Sequence, residues 1–307
     1  MKNIFTSLLL LVSTTFCYSQ KTKLKLDLKM DSVYVLNNTV DMTIDQEING
    51  TNQIVSTKIS AQTIHKVVAI NDTLYTLEVK YTDMRMNMKI GDKEIKYSST
   101  DKDGNPFAIV LAAMLNKPFT IIMSNTGRII DVKNTDNLFS TMFDLQAQLT
   151  EAQKASIKSQ MQKSFGEKTI KGNFQEEFVV FPEKKISLHD SWLTAIAMET
   201  SGVSINTQIT YSLEDITPNE YVINGSAKIV SGKDSGYKVS NGLEMRFINM
   251  AGTMTAKVKI DKHTGWITES TITKHLSGTA DIKDSPQIPG GLSYPITIDA
   301  TLKATDK

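Results

Sequence analysis

The chain has 307 residues, carries 34 Lys+Arg against 33 Asp+Glu, and contains a single cysteine, Cys17. So even a balance lacks the positive footprint of a nucleic-acid binder. A lone cysteine excludes a disulfide framework and a Cys-ligated metal centre, so any fold must rest on its apolar core. The length suits one large domain or two ordinary ones.

At the N-terminus Lys2 precedes an apolar stretch from Ile4 to Val12, and Cys17-Tyr18-Ser19 follows. Residues 1–19 therefore read as a secretory signal peptide cut before Gln20. The apolar stretch is too short for a bilayer, which takes roughly 20 residues. Lipid anchoring through Cys17 would need a small residue before it, and Phe16 stands there. The expected product is an exported, thiol-free chain without a transmembrane segment, placed in the periplasm or at the outer-membrane periphery of a Gram-negative cell.

Beyond the leader, period-two alternation dominates and predicts strands. Lys23 to Met30 alternates charged and apolar residues. Tyr75, Leu77, Val79 and Tyr81 form one apolar set, and Met84, Met86, Met88 and Ile90 form another. Met254, Ala256, Val258 and Ile260 repeat the pattern, as do Ile296, Ile298, Ala300 and Leu302. One dry and one wet face is the mark of antiparallel sheets packed on one side.

Helical signals are confined to the middle. Phe107 to Leu115 is apolar nearly all round, Asp136 to Leu145 is a second candidate, and Thr150 opens a third that runs to Phe165 with Gly166 as its stop. Asn173 to Phe178 extends this connector. The predicted organisation is a β-rich domain over 20–133, a helical connector over 134–178, and a second β-rich domain over 179–307. Each half ends in a strand, a Thr-Gly turn and another strand, at Thr126-Gly127 and Thr264-Gly265. The fold class is α+β, mainly β: two curved antiparallel sheets or incomplete barrels, arranged as a tandem repeat if the halves are related.

Several short motifs occur in a fixed order. Leu115-Asn116-Lys117-Pro118-Phe119 leads into Thr126-Gly127; Phe181-Pro182 and Asp190-Ser191-Trp192 follow the helical middle; Asp261-Lys262-His263-Thr264-Gly265 comes last. In this order the chain resembles domain-of-unknown-function family 6263 of the Bacteroidota across nearly all of its mature length. The resemblance implies an exported, β-rich Gram-negative protein and brings no catalytic residues with it. Many members have Gly before Asp-Ser-Trp, where this chain has His189.

Candidate sites are few. His189-Asp190-Ser191 has the residue types of a hydrolase triad, but sequence neighbours on extended chain diverge, and no Gly-x-Ser-x-Gly elbow is present. No catalytic residue is assigned. His65, His189, His263 and His275 lack metal-ligand spacing, so neither a metal nor another cofactor is expected. Met84, Met86 and Met88 share one strand face. A soft three-sulfur face could hold Cu(I), but no His or Cys supports it, and flexible apolar filler explains the spacing better. With Met254, they are assigned as lining for a lipophilic ligand inside a curved sheet, a look shared with half-open periplasmic lipid carriers. The functional expectation is an envelope protein that binds a lipid, another apolar small molecule, or an envelope protein. A structural or adhesive module is the alternative, and a hydrolase with a non-local site the remote one.

Overall fold

The computed structural model describes residues 21–306 apart from 102–104, 143–149, 152–154, 156–157, 160, 163–164, 201–202, 232–235 and 241–242. The leader assigned to residues 1–19 lies outside the described residues. Thirteen antiparallel strands make up the sheet: β1 (Val33–Ile48), β2 (Thr51–Asn71), β3 (Leu74–Ile90), β4 (Lys93–Ser98), β5 (Phe119–Ser124), β6 (Ile129–Lys133), β7 (Ser191–Thr200), β8 (Val203–Ile216), β9 (Glu220–Ser231), β10 (Lys238–Ser240), β11 (Leu243–Asp261), β12 (Ile267–Ile282) and β13 (Leu292–Thr305). The helices are α1 (Pro106–Met114) and α2 (Glu167–Glu177), with a 3-10 turn over Thr135–Phe139. Described residues between 151 and 165 are also helical. Gly166 is the N-cap of α2, so it stops one helix and starts the next.

The strands run in the order β6-β5-β3-β2-β1-β13-β12-β11-β9-β8-β7, with β4 beside β3 and β10 beside β11. This corrects the expectation of two sheets. The first strand pairs with the last, from Asn37↔Thr305 to Gln46↔Ile296, and welds the halves into one sheet. The sheet curls until its two edges, β6 and β7, both pack against α2. That helix also supplies what an open edge lacks. Gln175 Oε1 accepts from the Ile129 amide at 2.7 Å, its Nε2 donates to the Gly127 carbonyl at 3.3 Å, and Lys171 Nζ donates to the Ile130 carbonyl at 2.6 Å. The result is an incomplete barrel with a helix in its seam.

The two out-of-phase apolar sets of β3 belong to one strand. A bulge shifts the register between Gln62↔Asp83 and Thr63↔Tyr81. The extra residue, Thr82, reverses the phase, so Tyr75 to Tyr81 and Met84 to Ile90 all face inward.

Residues 23–30 do not form a sheet strand, although they alternate like one. The segment runs extended across one end of the barrel. Thr22 bridges to Ile186, the Leu26 amide donates to the Asn125 carbonyl at 2.7 Å, and the Asp27 amide donates to the Thr264 carbonyl at 2.8 Å. Leu24, Leu26 and Leu28 are buried, each worth about 1.5–3 kcal/mol of apolar burial. Both Thr-Gly turns lie at this end. Gly127 (φ 81°) and Gly265 (φ 69°) adopt left-handed backbone, and a Cβ would sit 2.3 Å from the Val179 carbonyl oxygen and 2.1 Å from that of Lys25. Only glycine meets both demands.

Candidate functional site

Paired register positions trace the inner face around the barrel. From β3 to β12 it runs through Met84, Met86 and Met88, then Ala61, Ile59 and Thr57, then Asn38, Val40, Met42 and Ile44, then Ala304, Leu302, Ala300 and Ile298, then Ser270, Ile272, Lys274 and Leu276. Met254 continues the face on β11, paired with Lys274 and Ala227. All four assigned ligand-lining methionines are thus on the inner face, three on β3 and one five strand positions away. Met84 and Met254 are buried, while Met86 and Met88 keep partial exposure.

At the end crossed by residues 21–29 the inner face is dry. His65 there is fully buried, donor or acceptor to Thr63 Oγ1 at 2.9 Å, and ringed edge-on by Phe174, Phe178 and Trp266. Burial without a charged partner pulls its pKa down to about 3, which keeps the imidazole neutral. Further along, Val40, Met42, Ile44, Ile298, Ala300 and Leu302 remain partly accessible to solvent. Ile44, Ile298 and Leu302 among them pack against the buried core while keeping that partial exposure.

The C-terminal turn of α2 meets the inner face at Asn38 and Lys274. Glu176 forms an ion pair with Lys274 of β12, and each side chain is only 13% exposed. Glu177 Oε1 accepts from Asn38 Nδ2 at 3.2 Å. Glu177 Oε2 and Asn38 Oδ1 are closed off from solvent and have no hydrogen-bond partner. Burial above all, then the charge of Glu176, pushes the Glu177 pKa up to about 8, against the pull of the Asn38 hydrogen bond. Tyr81 on β3 and Tyr211 on β8 are raised as well, first by burial and then by Glu177 and Glu176 respectively.

Sequence reading missed this polar cluster, though signals for it exist. Ile170, Phe174, Glu177 and Phe178 follow helical spacing, which puts Glu177 on the apolar stripe of α2. Lys274 takes the apolar phase between Ile272 and Leu276, and Asn38 the apolar phase between Leu36 and Val40.

The triad-like run is a turn. His189 is left-handed (φ 67°), its amide donates to the Leu213 carbonyl, and Asp190 Oδ2 accepts from the Ser187 amide at 2.8 Å. His189, Asp190 and Ser191 are all exposed. A left-handed residue here accounts for the glycine that the resemblance leads one to expect. Trp192 next to it is buried and donates through Nε1 to the Val180 carbonyl at 2.7 Å. His65, His189, His263 and His275 stand on separate elements, and His275 pairs with Asp299 at 2.7 Å on the exposed outer face.

The convex face is charged. Lys58 pairs with Asp41, Lys80 with Glu78, and Lys259 with Glu269. Apolar-in and polar-out is the reverse of a membrane-spanning barrel, whose apolar band faces outward. Among the described residues no helix is long and apolar enough to cross a membrane.

The fold is therefore an incomplete antiparallel barrel with an apolar, partly accessible interior and a polar cluster at its seam helix. Residues 72–267 match the model of a family of unknown function, DUF6263, and the chain belongs to that family. No curated protein matches the chain by sequence. Among solved structures, lipovitellin, described for its lipid–protein interactions, is similar over 92% of this chain at 11% identity and a TM-score of 0.51. The chain spans 25% of lipovitellin's length. An outer-membrane channel from Pseudomonas putida F1 covers 91% of the chain and 97% of itself at 7% identity, but its TM-score is 0.26. OprG from Pseudomonas aeruginosa, at 5% identity, covers 91% of this chain and 98% of itself with a TM-score of 0.23.

Proposed function

We propose that this chain is a non-enzymatic binding protein of the bacterial envelope that takes a lipophilic molecule against the inner face of its barrel. One observation carries the reading: the apolar inner face stays partly accessible along β1, β3 and β13 while the outer face carries the charge. A protein that needed only a core would close that face, since about 25 cal/mol is gained per Å² of apolar surface buried. The described association of lipovitellin with lipid fits the same use of this fold. Met42, Met86 and Met88 suit such a wall, because unbranched thioethers adapt to ligands of varied shape.

Adhesion through the sheet edges has less support, because α2 already occupies the edge of β6 and packs on β7. Native mass spectrometry of the protein purified from its own periplasm tests the binding reading. The expected spectrum shows a co-purifying lipid-sized mass. A clean apo mass, together with no uptake of a long-chain alcohol or amine on titration, overturns it.

A further inference from the structure

We infer that the inner face selects an amphiphile with a cationic amino head, received by Glu177 and Asn38 while its chain lies along β1 and β13. This deepens the proposed function and rests on it.

The first ground is a mismatch of charge. Two adjacent carboxylates enter the apolar interior from α2, and Lys274 is the ammonium that meets them, bonded to Glu176. Among the described residues, Glu177 has the neutral Asn38 amide as its hydrogen-bond partner. The second ground is the identity of the unpartnered atoms. Once Glu177 is ionised, its Oε2 and Asn38 Oδ1 are both acceptors, belong to residues already in contact, and are both shut off from solvent. Buried polar atoms are normally satisfied, so two neighbouring orphans of one kind point to a missing donor. An ammonium brings three N–H groups and one positive charge, enough for both atoms and for the carboxylate. A hydroxyl head brings one donor and no charge. A fatty-acid carboxylate would bring another negative charge beside Glu176 and no donor for Asn38 Oδ1.

The third ground is the path for the chain. Asn38↔Ala304, Val40↔Leu302, Met42↔Ala300 and Ile44↔Ile298 are successive inward pairs. At about 3.4 Å per residue, the six steps from Asn38 to Ile44 lay down roughly 20 Å of apolar, part-accessible wall. The polar cluster stands at one end of that wall, as an amphiphile requires.

The groups acting on Glu177 are Glu176 on its own helix, Asn38 from β1 and Tyr81 from β3; Lys274 from β12 and Tyr211 from β8 face Glu176, and His65 from β2 packs against Phe174. Burial and Glu176 keep Glu177 protonated below pH of about 8. An arriving ammonium must displace that proton, so amine affinity rises with pH up to about 8, by at most about tenfold per unit.

The test compares hexadecylamine, hexadecanol and palmitate, which share chain length and differ in head, by equilibrium dialysis against the full chain at pH 8. The amine is expected to bind at least tenfold more tightly than either competitor. Glu177→Gln should remove that preference and abolish the pH dependence of amine binding. Equal affinity for the three, or a preference for palmitate, overturns the head-group inference while the lipophilic-ligand reading stands. Failure of all three to bind overturns both. If Glu177→Gln fails to fold, the wild-type series and its pH dependence still decide.

Discussion

The two stretches of the inner face are built from similar residues and end in opposite states. His65, Leu36, Val67, Leu77, Val79 and Trp266 are all buried, because residues 21–29 and the two Thr-Gly turns close over them. Along Val40, Met42, Ile44, Met86 and Met88, the same face of the same strands stays half wet. The turn glycines show the same contrast. Gly265 at the covered end has a carbonyl where its Cβ would be, while Gly91 between β3 and β4, also left-handed, has nothing within 4 Å. Covering, and not composition, separates a core from a candidate binding wall here.

That contrast can be broken first by truncation. Trp266→Ala in the dry stretch should cost about 3–5 kcal/mol in urea unfolding, whereas Met88→Ala should cost less than about 1.5 kcal/mol because its site is partly open. Similar losses at the two positions would mean that the wall is core after all.

The boundary between the stretches is the polar cluster, and pH probes it. Glu177 has a folded pKa of about 8 against an ordinary value of 4.5. Below pH of about 4.5 both folded and unfolded states hold the proton and the shift costs nothing. As pH rises toward 8 the unfolded chain releases its proton and the folded chain does not, so stability falls by about 2–4 kcal/mol. Glu177→Gln should flatten that decline in thermal unfolding series. His65 acts in the other direction: its lowered pKa means stability is lost as pH falls from about 6.5 toward 3. A wild-type curve that stays level between pH 6.5 and 8, where His65 no longer contributes a slope, would contradict the burial assigned to Glu177.

The turns offer a finer cut. Gly265→Ala should lose more than about 2 kcal/mol, from strained backbone and the clash with Lys25, and Gly91→Ala only about 1 kcal/mol, from backbone alone. The smallest effect is expected at His189, which is left-handed, exposed and free of side-chain constraint from the sheet. His189→Gly should stabilise by about 0.5 kcal/mol, read as a small rise in melting temperature.

Much of this architecture is legible in the primary structure. Alternation at Tyr75 to Tyr81, Met84 to Ile90 and Ile296 to Leu302 marks which side chains face inward, because side-chain direction in a strand has a period of two whatever the fold. The turns at Asp72, Thr126-Gly127 and Thr264-Gly265 follow from residues that tolerate left-handed backbone, and α1 follows from the Asn105 cap and its apolar run. Local preferences decide these features.

Tertiary structure alone decided the rest. Pairing of β1 with β13 joins residues 250 or more positions apart, and no short-range pattern encodes it. The phase break at Thr82 reads as two strands until β2 is seen to run past it unbroken. Leu24, Leu26 and Leu28 alternate like a strand but meet turns and not a neighbouring ladder. Glu177 and Lys274 look like solvated charges in isolation, and become a buried cluster only when the seam helix enters the curled sheet. Sequence periodicity reports that a face avoids water; the path of the whole chain determines what covers that face, and where it is left open.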